Sequence, residues 1–450
     1  MARMFGTDGV RGVANKELTP LLAFKLGRAG AYVLAMAKHH KPTIIVGCDT
    51  RLSCSMLENA LVAGICSTGA TAMCAGVIPT PAIAYLTRKY EADAGVMISA
   101  SHNSFEFNGI KFFSDQGYKL LDETEDQIES YVTAEEDTLP NPVGENLGKR
   151  IECTTAFDDY LSYLVETAGC SLKGLKIVLD CANGASYRVA PALFEKLGAD
   201  ITVIHNEPTG VNINKKCGST HMESLCEKVK EIGADIGFAF DGDADRLLAV
   251  DENGEMVDGD AIMSILAIAL KKKGLLVRNT LVITIMSNMG VDIMAKANGI
   301  DIVKTKVGDR YVLEEMLKSG YVLGGEQSGH VIALQHNTTG DGLLTALKVA
   351  EIVASEKKKL SELASVYTAL PQVLINAKVR NDLKYSFMEN EDIKAMCEEL
   401  ENEFNGEGRV VIRPSGTEPI VRVMIEGKDY EYIKRRAELL AALIESKLGI

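Results

Sequence analysis

The chain has 450 residues, 46% hydrophobic and 24% charged, with a formal net charge of −14. That length predicts about three or four domains, and the composition is that of a globular chain able to bury large cores. The acidic balance argues against a nucleic-acid surface and a general anionic-membrane surface; anionic small molecules need only a local cluster of Arg and Lys.

The chain opens on "MARMFGTDGVRG", polar and glycine-rich, with no apolar signal region. Gly6, Gly9 and Gly12 mark turns there and bring Arg11 into a glycine-rich turn, a pattern that by itself does not distinguish a functional arginine from a surface charge. "TPLLAFKLGRAGAYVLAMAKHH" predicts a helix with Thr19 as N-cap and Pro20 at the first helical position. "PTIIVGCDTR" then predicts a buried strand and a turn. "GVMISASHNS", Gly95–Ser104, runs from an apolar strand into three serines, and Lys111 follows in "NGIKFF". A serine hydroxyl is a poor nucleophile unless a base, a metal or a prior modification changes it, and the stretch alone does not choose among Ser99, Ser101 and Ser104.

The polar, proline-bearing segment 134–150 predicts a boundary. "LKIVLDCANGA" (Leu175–Ala185) and "NTLVITIMSNMG" (Asn279–Gly290) repeat the theme of Pro42–Arg51, a β-branched run followed by a polar loop and a helical segment. Three such openings predict three related α/β domains with mixed sheets. "FAFDGDADRLLAVD" holds Asp241, Asp243 and Asp245 at period two, a spacing that aims three carboxylates to one side of an extended loop. Three hard oxygens suit Mg²⁺ or Mn²⁺. A calcium EF-hand is excluded because Arg246 stands where its sharp turn needs glycine. A further boundary is expected near Asn253–Gly259, and the apolar helix around Ala261–Leu270 is too short to span a bilayer.

"LGGEQSGHVI" is a polar loop after an apolar strand, where Glu326 and Ser328 could meet sugar hydroxyls and His330 could carry a proton. A last boundary falls near Ala369–Pro371, followed by a small α+β domain. Within it, "IRPSGTEPIVRV" offers an anion nest at Ser415, Gly416 and Thr417, flanked by Arg413 and Arg422. The ten cysteines show no C-x-x-C pair and read as reduced core thiols of a cytoplasmic protein. No G-x-S-x-G elbow, phosphate-binding P-loop or G-x-G-x-x-G fingerprint is present, so neither an α/β-hydrolase nor nucleotide use is indicated.

Taken in order, "SASHN", "DGDADR", "GGEQSGH" and "RPSGTEP" resemble the four signature loops of the α-D-phosphohexomutase superfamily. The resemblance covers the whole chain. It implies an α/β protein of four domains around a central cleft, expected at 1–150, 151–254, 255–369 and 370–450. The first three share one α/β topology and the fourth is α+β. It implies that Ser101 is carried as a phosphoserine and ligates Mg²⁺ together with Asp241, Asp243 and Asp245. Lys111 and His330 match acid–base positions, and Arg11 and Arg246 lie beside the phosphoserine. Glu326 and Ser328 bind the sugar, and Arg413, Ser415, Gly416, Thr417 and Arg422 hold its non-reacting phosphate. "MFGTDGVRG", "VGDRYVLEEM" and Gln327 are similar to the bacterial members that act on glucosamine phosphates. The expected reaction interconverts glucosamine 6-phosphate and glucosamine 1-phosphate through a glucosamine 1,6-bisphosphate, in amino-sugar synthesis. The expected partner is a phosphorylated amino sugar, with no nucleic acid or membrane, and a homodimer is possible. A mannose or glucose phosphate with the same mechanism is the alternative; a metal-dependent phosphatase and a sugar-phosphate sensor are further ones. Ser104 departs from relatives, which commonly carry proline there.

Overall fold

The β-branched runs fold as strands, and the polar turns after them become the loops that carry the motifs. The computed structural model describes residues 3–6, 8–35, 40–415 and 418–449. They form two units, Met1–Met286 with Gly299–Val366, and Ser287–Asn298 with Tyr367–Ile450.

In the first unit three sheets share one strand plan. The first contains β1 (Val10–Val13), β2 (Thr43–Cys48), β3 (Thr71–Val77), β4 (Ala94–Ile98), β5 (Phe107–Ser114) and β6 (Arg150–Glu152), in the order β1-β5-β4-β2-β3-β6. There β2 lies between β3 and β4, parallel to both, and β5 runs antiparallel to β4. The second contains β7 (Lys176–Asp180), β8 (Asp200–Ile204), β9 (Ile236–Phe240), β10 (Leu247–Asp251) and β11 (Met256–Val257). Here β7 lies parallel between β8 and β9, with β10 antiparallel to β9. The third contains β12 (Thr280–Thr284), β13 (Asp301–Thr305), β14 (Leu323–Gly325) and β15 (Val331–Ala333), and repeats the plan with β12 between β13 and β14 and β15 antiparallel to β14.

Parallel neighbours need long crossovers, whereas antiparallel neighbours can be joined by a short turn. The turns β4–β5, β9–β10 and β14–β15 carry "SASHN", "DGDADR" and "EQSGH" respectively. The three motifs therefore occupy one topological slot. Each turn has a left-handed residue, Ser101 (φ 52°), Ala244 (φ 56°) and Gly329 (φ 93°). The two that are not glycine hold strain on the order of 1–3 kcal/mol each. The strands that support these turns, β4 and β9, are buried along their whole length, as parallel strands covered on both faces must be.

The second unit contains an antiparallel sheet, β16 (Gln372–Lys378), β18 (Ile420–Gly427) and β17 (Gly408–Pro414) in that order, with helices Glu391–Phe404 and Tyr430–Leu448. Val421, Val423 and Ile425 of β18 alternate inward onto Ile433, Leu440 and Ile444 of the last helix. Asn390 and Asp429 cap the two helices through their side chains.

Thr19 accepts from Leu22 N at 3.2 Å and starts the first helix, described over Pro20–Ala35; the expected continuation at 36–39 lies outside the described residues. All ten cysteines are free thiols. Among the described residues no helix is long and apolar enough to cross a membrane.

Candidate active site

The serine turn answers which hydroxyl faces the acidic residues. Ser101 Oγ donates to Asp241 Oδ2 at 2.5 Å, and Ser101 is 1% exposed. Ser99 points the other way: its hydroxyl donates to Asp49 Oδ2 at 2.6 Å and accepts from Ser101 N at 2.9 Å. Ser104 is exposed. The backbone of the turn is held from two sides. Arg51 donates from Nη2 to the carbonyls of Ser101 and Asn103 at 2.9 and 2.8 Å and from Nη1 to that of Ser104. Asn214, between β8 and β9, donates to the same Ser101 and Asn103 carbonyls at 2.8 and 2.9 Å.

In the acidic turn, Asp241, Asp243 and Asp245 are buried and each brings one carboxylate oxygen within 4.8 Å of the others. Burial, then Asp245 and Asp243, push the Asp241 carboxyl well above its usual range. Asp245 moves the opposite way: burial would raise it, but Lys111 and His330 hold it well below the carboxylate range. Asp243 Oδ1 and Asp245 Oδ1 are buried with no hydrogen-bond partner. Unpartnered carboxylate oxygens beside a carboxyl destabilised by like charges fit a hard divalent cation such as Mg²⁺. A second group with ligand spacing, Asp180, His205 and Cys217, lacks that need. Asp180 already accepts from Ala182 N and Gly218 N and pairs with His205 at 3.1 Å.

A ring of alternating charge closes the site. Lys111 Nζ lies 2.8 Å from Asp243 Oδ2, 2.8 Å from Asp8 Oδ2 and 3.8 Å from Asp245 Oδ2. Burial works against its charge, but Asp243 and Asp8 outweigh it and raise the Lys111 pKa. Asp8 also meets Lys119 at 2.6 Å, Lys119 meets Asp309 at 2.6 Å, and Asp309 lies 3.2 Å from His330 Nε2. His330 returns the ring to Asp245 through Nδ1 at 3.6 Å, and its Nε2 accepts from Gly340 N at 3.0 Å. Burial lowers the His330 pKa, but Asp309 and Asp245 more than offset it, so the net shift is upward.

Arg11 pairs with Asp8, and Arg246 lies 3.9 Å from Asp245 Oδ1. The charges of both guanidiniums act on His102, whose Nδ1 stands 3.4 Å from Ser101 Oγ. Burial and then these two charges lower the His102 pKa to about 4, so the ring is neutral near pH 7. The turn of residues 326–330 is fixed both by its own backbone and by neighbours outside it. Glu326 Oε1 accepts from Gly308 N at 3.1 Å, Gln327 donates to Asp258 at 3.3 Å, and Ser328 is exposed. Leu247 N donates to Gly329 O at 3.0 Å, tying the sugar turn to the acidic one.

The phosphate turn belongs to the second unit. Arg413 and Arg422 stand directly opposite each other on β17 and β18, so both side chains share one face. Burial and then Arg422 lower the Arg413 pKa. Like charges placed so repel one another unless an anion lies between them, and Glu418, 3.6 Å from Arg422, offsets part of that repulsion. Ser415 is buried and accepts from Glu418 N at 3.2 Å; Gly416 and Thr417 lie outside the described residues.

Four domain patterns match in sequence, each described as phosphoglucomutase/phosphomannomutase: alpha/beta/alpha domain I at residues 2–139, domain II at 158–254, domain III at 258–370, and the C-terminal domain at 374–443. The chain belongs to the phosphoglucomutase/phosphomannomutase family. It is 62% identical over 449 residues to the phosphoglucosamine mutase of Acetivibrio thermocellus, covering 100% of both chains. The phosphoglucosamine mutase of Ruminiclostridium cellulolyticum is equally similar, at 62% over 449 residues and 100% of both chains. The fold of a phosphoglucomutase/phosphomannomutase family protein from Burkholderia thailandensis superimposes with a TM-score of 0.83 at 22% identity, covering 99% of this chain and 97% of that one. An Aspergillus fumigatus N-acetylphosphoglucosamine mutase, solved with GlcNAc-6P and magnesium, superimposes with a TM-score of 0.68 at 17% identity, covering 98% and 95%.

Sequence reading missed Asp8, Asp49, Arg51, Thr80, Lys119, Asn214 and Asp309 as parts of a family site. A signal existed for the pair Asp49 and Arg51, two charged residues directly after the buried run of β2. Asp309 falls within the motif "VGDRYVLEEM" without having been given a role, whereas Thr80 and Lys119 sit in segments whose composition is ordinary, and only the fold brings them to the site.

Proposed function

We propose that the chain interconverts glucosamine 6-phosphate and glucosamine 1-phosphate by carrying a phosphoryl group on Ser101. The observation that carries this is the 2.5 Å bond from Ser101 Oγ to Asp241 inside a buried carboxylate triad. The choice of an amino sugar is supported by full-length relatives named phosphoglucosamine mutase.

Asp241, Asp243 and Asp245, with the phosphate on Ser101, would hold Mg²⁺, which when bound draws charge from the transferring phosphoryl group. Arg11 and Arg246 neutralise the same group from the protein side. A sugar hydroxyl oxygen attacks phosphorus, the bond from phosphorus to Ser101 Oγ breaks, and the product is the 1,6-bisphosphate. His330, made more basic by Asp309 and Asp245, takes the hydroxyl proton. Lys111, held as the ammonium by Asp243 and Asp8, supplies a proton to the departing serine oxygen. The bisphosphate then turns over and the other phosphoryl group returns to Ser101 by the reverse steps. Glu326 and Ser328 contact the sugar hydroxyls, while Arg413, Ser415, Gly416, Thr417 and Arg422 hold the phosphate that is not reacting.

Intact-mass analysis and peptide mapping of the purified protein test the carrier, and rate measurements on glucosamine, mannose and glucose phosphates test the substrate. The expected result is one phosphoryl group on Ser101, lost to substrate, with the highest kcat/KM on glucosamine phosphate. A phosphoryl group on Ser99 or Ser104, or a preference above about tenfold for a hexose phosphate, a difference of about 1.4 kcal/mol, would overturn the respective part.

A further inference from the structure

The structure assigns Arg51 as a positioning residue for the phosphoryl carrier: anchored on Asp49, its guanidinium sets the backbone of residues 101–104 and with it the place of Ser101 Oγ. The inference rests on the reading of Ser101 as the carrier.

Arg51 and Asp49 have fully buried side chains, and Arg51 Nε meets Asp49 Oδ2 at 2.9 Å. Taking both charges out of water is costly unless the remaining donors and acceptors are satisfied. Arg51's remaining side-chain bonds all go to the serine turn, while Asp49 is shared: Oδ1 accepts from Arg51 N and Cys54 Sγ, and Oδ2 accepts from that turn. Asp49 accepts from Ser99 Oγ, and Ser99 Oγ accepts from Ser101 N. Arg51 donates to the Ser101, Asn103 and Ser104 carbonyls. Both backbone polar groups of Ser101 thus lead back to the same ion pair, one through Ser99 and one directly. This closed loop holds a non-glycine residue at φ 52°, a conformation that only surrounding contacts maintain.

The guanidinium is the side chain suited to this task. Its planar fork reaches one carboxylate and three carbonyls at once, whereas an ammonium has three donors on a single atom. The Ser101 and Asn103 carbonyls it grips are those that Asn214 grips from the second sheet. Arg51 touches neither the acidic triad nor the acid–base pair among the contacts described, so its effect on the reaction runs through the turn.

The test measures kcat, KM and melting temperature of Arg51→Lys and Arg51→Ala, the latter with and without guanidinium chloride at low, non-denaturing concentration. Ser99→Ala opens the same loop while keeping both members of the buried ion pair, at the cost of one donor to Asp49, and it is read alongside, also where an Arg51 variant fails to fold. Misplacement of a reacting atom by about 1 Å costs on the order of 10²-fold in rate. The expected result is kcat lowered about 10- to 100-fold in Arg51→Lys and Ser99→Ala with KM within about threefold of the parent, and partial recovery of Arg51→Ala by guanidinium but not by methylammonium. Wild-type kcat in folded Arg51→Lys, or in Ser99→Ala, overturns the inference, as does loss confined to melting temperature. Failure of the unsubstituted protein to turn over any sugar phosphate would instead sink the functional reading beneath it.

Discussion

Thr80 binds Asp243 twice, its backbone N–H donating to the Asp243 carbonyl at 2.9 Å and its hydroxyl to Oδ2 at 2.5 Å. Thr80 opens the helix Thr80–Lys89, so a helix of the first sheet's layer grips the middle residue of the acidic turn. A hydrogen bond to a charged group contributes about 1.5–3 kcal/mol. Thr80→Val keeps the shape and removes the hydroxyl. Urea unfolding should show a loss of that size, with a higher Mg²⁺ concentration needed for half-maximal rate.

Ser101→Ala should lower kcat by more than about 10³-fold, because the phosphoryl group then has no covalent carrier. Ser104→Ala should stay within about twofold, since that side chain is exposed on the turn. A radiolabelled phosphoryl group transferred from glucosamine 1,6-bisphosphate to the protein, followed by peptide mapping, separates the two positions.

Three buried carboxylates so close together make the metal-free site unfavourable. Mg²⁺ at about 100 times its Kd should add about 2.7 kcal/mol to unfolding free energy, and EDTA should remove it together with the activity. Asp241→Asn relieves the repulsion, so it should stabilise the metal-free protein while abolishing most of the Mg²⁺ increment. Thermal melts with and without metal read both effects. A variant less stable than the parent in EDTA would contradict the charge argument.

Gly242 has room for no side chain. A Cβ built there would meet the Ser101 carbonyl oxygen at 2.5 Å, Ile213 Cδ1 at 2.8 Å and Asn214 Nδ2 at 2.9 Å. Gly242→Ala should therefore push the acidic turn off the serine turn. The expected cost is about 1–3 kcal/mol of stability, with a fall in kcat larger than the fall in folded fraction. Chemical denaturation and a rate per folded molecule check this.

Burial raises the Glu125 carboxyl from 4.5 to about 7, against the pull of Arg3 and Arg310. The folded protein keeps a proton there that the unfolded chain releases near pH 4.5. Its contribution to stability is therefore present below pH 4.5, falls as pH rises to about 7, and is level above. Glu125→Gln should flatten that slope. Unfolding free energies at half-unit steps across the window would show an unchanged slope if the group titrates normally.

The strands, the acidic spacing and the repeated α/β theme were legible because each depends on neighbours in sequence. The clustering of Asp241, Asp243 and Asp245 was legible, but the extended loop expected to produce it is not what forms: residues 241–246 are a tight turn bent at Ala244 (φ 56°), and this turn brings their oxygens within 4.8 Å of one another. The choice among serines was not legible from spacing, because Ser99 and Ser101 share parity. What separates them is the left-handed turn at Ser101 and the distant Asp49 that claims Ser99. The supporting contacts were hidden for the same reason. Thr80 and Asp243 are 163 residues apart, and Lys119 and Asp309 are 190 apart. Such pairs are products of the fold, and no local pattern of composition or period announces them.

The shared slot of the β4–β5, β9–β10 and β14–β15 turns has a geometric consequence. One bracket, a turn bent at a left-handed residue, is built three times and presents a buried serine, a buried acidic triplet and the loop of residues 326–330. Each loop sits on its own turn above its own sheet, and the Leu247 N to Gly329 O bond couples the second loop to the third, so a backbone shift near 326–329 is felt at the acidic turn.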